Sequence, residues 1–431
     1  MLGYHLGLAC RAMKRNALLT ALMIAAIAVG VGSATTVFAV LRALSADPIA
    51  SKSQRLFGVW IDNWGPEAPH DAENQLSYPD AMALMHAHRA SRQSAMYAVA
   101  FSVNPAATEM LPFTAAGRAV YADFFKMFEA PFRAGAPWNS VEEEDKANVV
   151  VIGATLAAKL FPHGDAVGQS IVLDQRDYRI VGVLAPWRFQ PRIYDLTPGY
   201  FQDTEDIFLP FTTAIDRGMH TNGSMPCPGA NPAAWPAVLN SECRWLQFWA
   251  ELPTPAADTY RDFLEGYVGE QAQLGRFHWP TRLRLMNGRD WAAAQKMVPN
   301  EIRLSTLVGF SFLLVCLVNA SGLMLAKLGG RIGELSVRRA LGASKLNIFV
   351  QCLTEAALIG VAGGLAGLAL AILGIFVERG ILREDYAPLV HIDGDIVLIT
   401  FGLAMVSALC VGLYPAWGAS RAPPAWHLKS Q

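Results

Sequence analysis

Residue types able to make or break bonds are present, but their spacing forms none of the common catalytic arrangements. There is no GxxxxGK[ST] loop to cradle a nucleoside triphosphate. There is also no HExxH, no GxSxG and no CxxC pair, which removes the zinc-protease, serine-hydrolase and structural-zinc patterns. The nearest approach to a metal cluster is His70, Asp71, His86 and His88. Residues two apart on a helix do not share a face, so His86 and His88 read as part of a solvated surface. Among the cysteines, Cys10, Cys316, Cys352 and Cys410 lie in or beside apolar stretches. Cys227 and Cys243 instead bracket a Pro- and Gly-rich loop, CPGANPAAWPAVLNSEC. A bond between them would form in an oxidising compartment and restrict the unfolded loop, worth ~3 kcal/mol. Separate thiols remain the other reading, because spacing does not establish bond geometry. The disulfide is the expectation, and no bond chemistry is expected of the chain.

What is conspicuous is a charged cassette, GELSVRRALGASKLNIF (333–349), between two very apolar stretches. Arg331 to Leu341 can form a short helix with Ile332, Leu335 and Leu341 as apolar anchors. Glu334 and Arg338 stand at i and i+4, a stabilising order. Gly342 suits the left-handed position that ends a helix, and Ser344 suits the N-cap of the next, LNIFVQCLTEAAL. The plainer alternative is a basic loop that only sets orientation. The ordered cap and break favour a shaped surface.

The elements around the cassette are membrane-length. The chain is 53% hydrophobic and 16% charged, with mean hydropathy +0.27; soluble chains are nearer ~25% charged. Net charge is -1, so no polyanion footprint is present and no nucleic-acid partner is expected. Four stretches approach the ~20 apolar residues a bilayer requires: 17–41, 304–325, 356–377 and 396–414. None holds a charge, and Glu355 stands just outside the third. The first is too long for the ~7–15-residue core of a signal peptide, despite the ALSA at 43–46. Arg11, Lys14 and Arg15, then Lys327, Arg331, Arg338, Arg339 and Lys345, then Arg421 and Lys429, fall on one side of four spans. The positive-inside rule makes that side and both termini cytoplasmic. The loop after the third span is mainly acidic and faces outward. Gly360 with Gly364, and Gly363 with Gly367, make overlapping GxxxG patterns that let helices approach within or between subunits. Asn319, deep in the second span, would bond to a neighbour or to a local carbonyl.

Residues 45–302 read as a folded domain inserted between the first and second spans. NVVVI (148–152), SIVLD (170–174) and YRIVGVL (178–184) are strand-like. YPDAMALMHAHRA (78–90) and TYRDFLEGYVGEQAQL (259–274) are helical, so an α+β domain is expected. Nine of the eleven Trp residues lie here, and core filling is favoured over ligand stacking.

At the cassette the sequence resembles the MacB/FtsX-type permeases of ABC transporters. Their signature has a Glu before an apolar residue, an Arg, Ala-Leu-Gly-Ala-Ser and a later Glu entering a span. Glu334, Arg338, Arg339, Ala340, Leu341, Gly342, Ala343, Ser344 and Glu355 occupy those positions. LVNASGLMLAK (317–327), SYPDAMAL (77–84), YADFFKMFEAPFRAG (121–135), NVVVIGATLAAKLFPHGDAVGQSIVLDQRDYRIVGVL (148–184) and GLYPAWGASR (412–421) extend the match. The loop at about 219–245 matches no pattern of the family.

The resemblance implies a division into 1–44 (N-terminus and first span), 45–302 (MacB-like periplasmic core domain), 303–420 (FtsX-like domain with the coupling helix at 331–342) and a tail, 421–431. It implies a non-catalytic subunit without its own cofactor, ATP and Mg being bound by two copies of a partner ATPase. Glu334, Leu335, Arg338, Arg339, Leu341, Gly342 and Ser344 would meet that ATPase, with Leu335 and Leu341 as docking anchors. A second permease copy, or a related chain, a periplasmic adaptor, an outer-membrane channel and membrane lipid are the other implied partners. MacB itself carries its ATPase in the same chain, whereas none is seen here. Export of a peptide, antibiotic, lipid-linked molecule or siderophore is the leading expectation. A regulatory lever activating a cell-wall hydrolase is the second, and a membrane-anchored enzyme the third.

Overall fold

The computed structural model describes residues 2–65, 75–105, 110–162, 164–196, 202–294, 298, 300–381 and 393–421. His70, Asp71, Arg383, Glu384, Asp385 and Lys429 lie outside them. Two compact units are present, Met1–Ser45 with Val298–Gln431, and Ala46–Met297.

Among the described residues, the first unit contains four helices long and apolar enough to cross a membrane, Ala17–Leu44, Asn300–Gly329, Lys345–Ile381 and Gly394–Arg421. They are the first to fourth spans. A 28-residue helix is about 42 Å long, which exceeds a ~30 Å hydrocarbon core. The helices therefore run past the apolar stretches, and the third starts at Lys345 rather than Ala356. An apolar run stops at the first charge, but the backbone hydrogen bonds of a helix do not.

Both GxxxG patterns serve packing inside the chain. Gly360 and Gly364 of the third span face Ala408 and Ala404 of the fourth. Gly363 and Gly367 face Ile27 and Ala28 of the first. A methyl group on Gly363 would come within 2.8 Å of the Ile27 side chain. Two offset small-residue rows thus let one helix approach two neighbours, and Met23, Ile27, Val31, Ala356, Ala404 and Ala408 fill the seams. Asn319 is exposed on the second span.

The second unit is an α+β domain on one eleven-stranded mixed sheet. Its strands are β1 (Leu56–Asp62), β2 (Leu76–Ser77), β3 (Arg92–Asn104), β4 (Phe113–Val120), β5 (Phe132–Gly135) and β6 (Val149–Ile152), followed by β7 (Ser170–Leu173), β8 (Arg176–Leu184), β9 (Ile207–Pro210), β10 (Arg244–Glu251) and β11 (Arg282–Asn287). The order is β11-β1-β10-β3-β4-β9-β6-β8-β5, with β2 on β10 and β7 on β3 and β8. β4–β9 and β6–β8 pair in parallel. Alternation along β3 builds two cores: Ala95, Tyr97, Val99 and Phe101 join one, and Met96 the other. Trp60, Trp64, Trp138, Trp245, Trp249 and Trp291 are buried, as core filling requires.

The helix Tyr78–Ala87 is capped by Ser77, whose hydroxyl accepts the Asp80 amide at 3.3 Å. Cys227 and Cys243 are disulfide-bonded. The strap they close is stitched to the domain by the Trp235 indole, which donates to Ile215 (2.9 Å), and just ahead of it the Asn222 amide donates to Ala98 (2.8 Å).

Candidate functional site: the connector between the second and third spans

The cassette folds as a capped helix, Ile332–Ala340. Gly342 has φ +101°, and its amide reaches the Arg339 carbonyl at 3.1 Å while that of Ala343 reaches Arg338 at 3.1 Å. These two bonds are the Schellman closure that a Gly in the left-handed region permits. Ser344 Oγ accepts the Asn347 amide at 3.1 Å and opens the third span. Arg338 Nη2 donates to Glu334 Oε1 at 2.8 Å, the i, i+4 pair. Arg338 Nη1 also donates to Gln351 at 3.1 Å, and Arg15 Nη1 donates to Glu334 Oε2 at 3.1 Å. The Glu334 pairs with Arg338 and Arg15 are solvent-accessible and hold little energy.

The two proposed leucine anchors separate. Leu335 is 2% exposed and belongs to the core of the span bundle, whereas Leu341 is 83% exposed. The reason is angular: six residues at ~100° each place them ~240° apart, on different faces. Val337, 57% exposed and four residues before Leu341, shares the open side. The surface offered for docking is therefore Val337 and Leu341, with Leu335 removed from it. Arg339 lies partly buried beside them.

Sequence reasoning missed what lies underneath. Lys327, Arg331 and Glu355 are buried together. Lys327 Nζ pairs with Glu355 Oε1 and donates to Thr20 Oγ1 at 2.9 Å. Arg331 Nη1 donates to Glu355 Oε2 at 3.1 Å, and its Nε lies 3.5 Å from Glu334 Oε2. In the sequence Lys327 and Arg331 serve as orientation signals, Arg331 also as the start of the connector helix, and Glu355 as a signature position just outside a span, with no pairing among them. A Glu one residue before an apolar run was the available hint, since an unpaired carboxylate there would be costly.

The inserted domain holds a second buried network. Arg118 on β4 donates through Nε to Glu205 at 2.7 Å and through Nη2 to Asp195. Arg192 lies 3.1 Å from Glu205, and the Tyr194 hydroxyl donates to Glu205 at 2.9 Å. Burial pushes the Glu205 carboxyl up, but Arg118 and Arg192 outweigh it and hold it below its ordinary range. Among the described residues, no three His, Cys, Asp or Glu side chains are grouped to hold a metal. His86 lies in the last turn of the helix Tyr78–Ala87, and His88 is its left-handed cap (φ +47°).

A four-span bundle with a large domain inserted after its first helix, and a capped connector before its third, defines a class of transporter subunit. Residues 20–234 match the MacB-like periplasmic core domain, and residues 306–424 match the FtsX-like permease C-terminal domain. The chain belongs to the MacB/FtsX-type permeases of ABC transporters, multi-pass proteins of the inner membrane. It is 25% identical over 432 residues to the pyoverdine export ATP-binding/permease protein PvdT of Pseudomonas fluorescens, covering 98% of this chain and 59% of that one. It is 27% identical over 310 residues to the macrolide export ATP-binding/permease protein MacB of Azoarcus sp., covering 70% and 40%. The chain thus spans 40% to 59% of the length of these relatives. The crystal structure of the periplasmic region of MacB from Actinobacillus actinomycetemcomitans aligns with TM-score 0.39 at 10% identity, over 58% of this chain and 97% of that one.

Proposed function

We propose that the chain is the permease subunit of an ABC exporter that transmits movement from an ATPase to the periplasmic domain. The observation that carries the reading is the connector helix: it is closed at its C-terminal end by Gly342, anchored inward by Leu335, and presents Val337 and Leu341 outward. An apolar pair on a capped helix suits a groove on a partner, with Arg339 orienting it at the rim. Two ATPase copies, which bind ATP and Mg, and a second permease chain complete the assembly. The connector and both termini face the cytoplasm, as the Lys and Arg distribution favours. The names of the relatives favour a bulky secondary metabolite, such as a macrolide or a siderophore, as cargo.

The test is purification of the tagged full chain in mild detergent, with identification of the proteins that accompany it. An ATPase should accompany the native chain, be lost from Val337→Asp and Leu341→Asp, and be weakened in Arg339→Ala. Retention by both Asp variants would remove the connector from the docking surface. Co-purification of a wall hydrolase, in place of an adaptor and outer channel, would replace export by regulation. An exposed probe cysteine at Asp165 should react with an impermeant reagent in intact cells; protection there would reverse the orientation.

A further inference from the structure

Beneath the connector the charges are unequal. Lys327 and Arg331 supply two cations, and Glu355 supplies one buried carboxylate that receives both. Each cation has one further oxygen, and the two oxygens come from different elements. Lys327 reaches Thr20 on the first span, and Arg331 approaches Glu334 on the connector helix. A polar chain therefore runs from the first span, through the end of the second, across the third, and into the connector. Its inner links are buried, while its outer links, Glu334 with Arg338 and Arg15, are open to water. The two kinds of link respond differently to displacement. An exposed pair that separates is rehydrated at little cost. Moving the connector off the third span would pull Arg331 away from the buried Glu355 carboxylate, and breaking a buried pair is strongly unfavourable.

We propose that Glu355, with Lys327 and Arg331, is a positioning joint that makes the connector helix move as one body with the first and third spans. This deepens the lever reading above and rests on it for its functional meaning. In it, Val337 and Leu341 receive the push, and Glu355 prevents that push from being spent in bending the connector away from the bundle. The first span continues in sequence into the inserted domain, so Thr20 and Lys327 put the joint on the helix that leads there.

The experiment is hydrogen exchange by mass spectrometry on the purified full chain in phospholipid nanodiscs, without an ATPase. Peptides covering 332–340 report the connector, and peptides from the second and third spans report the bundle. Glu355→Gln keeps the shape and removes the charge. It should speed exchange in 332–340 by about tenfold or more while leaving the spans and the inserted domain as in the native chain. Glu355→Asp should recover much of the protection, and Glu334→Gln should have a clearly smaller effect because its closest pairs, with Arg338 and Arg15, are open to water and its contact with Arg331 is the longer one. A purely structural residue would loosen connector and spans together, and that result would overturn the proposal. Native protection of 332–340 in Glu355→Gln, or an equal effect of Glu334→Gln, would overturn it as well. If Glu355→Gln does not accumulate, the double variant Lys327→Met, Glu355→Gln removes the inner pair together and leaves Arg331 without its buried carboxylate. It should show the same selective release, and an unchanged connector would count against the joint. Because the ATPase is absent, this outcome is independent of whether a partner docks at Val337 and Leu341.

Discussion

Two buried charge networks in this chain are built on opposite principles. In the inserted domain, Arg118 and Arg192 face Asp195 and Glu205, two cations against two carboxylates. Arg118 sits mid-sheet on β4, whose register is set by β3 on one side and β9 on the other. At the end of the span bundle, two buried cations share one buried carboxylate, with the part-exposed Glu334 at 3.5 Å from Arg331, and the three buried residues come from separate segments. A balanced network under a sheet holds one arrangement of a fold that the sheet already specifies. An unbalanced one between helix ends adds little to any single helix, since each satisfies its own backbone, and instead sets how the helices stand relative to one another.

The largest effect should follow from unbalancing the first network. Arg118→Met removes the cation that Asp195 and Glu205 share, leaving Arg192 alone against two buried carboxylates, and should cost about 3–5 kcal/mol. Urea unfolding of the purified chain followed by Trp fluorescence would read it, and a shift as small as that of a surface variant would contradict the comparison. The contribution of Glu205 has a defined pH sense. Its folded value is depressed, so the stability is present above the ordinary carboxylate range of ~4.3 and is lost as pH falls through the folded value. Next, Cys227→Ala with Cys243→Ala should cost about 3 kcal/mol, from a cross-link 16 residues apart. Proteolytic nicking confined to residues 219–243 would show that the loss belongs to the strap; nicking spread through the sheet would show that the strap supports the core.

A smaller penalty is expected inside the bundle. Gly360→Leu places a side chain where a methyl group would already be 2.5 Å from Ala408, and overpacking costs typically ~1–3 kcal/mol. Gly322→Leu, with nothing within 4 Å, should be close to neutral. Heat-induced loss of monodisperse elution would rank the two, and equal behaviour would mean the seam does not depend on small residues. The smallest stability effect belongs to Val337→Asp, within about 0.5 kcal/mol because the side chain is exposed. The same midpoint with lost ATPase recruitment would separate a docking residue from a structural one.

Several elements were legible because the physics behind them is local. Length and apolarity mark the spans, a short β-branched apolar run marks β6, partial alternation marks β8, and a Gly before a Ser marks the break between two helices. Four of the connector's features, the Glu334–Arg338 pair, the left-handed Gly342, the Ser344 cap and the helix itself, follow from neighbours within a few residues. Leu335 was misplaced because an apolar residue on a short helix can face either a partner or its own chain, and spacing alone does not choose.

By itself, the sequence determined the class of molecule, the number of spans, the α+β insertion and the capped connector, since each depends on composition or on contacts close along the chain. Only the tertiary structure decided which small residues meet which helix, that Cys227 reaches Cys243, and that Glu355 lies between Lys327 and Arg331. Those pairings depend on long-range geometry. A charge beside an apolar run looks the same in sequence whether it faces water or closes a buried ion pair.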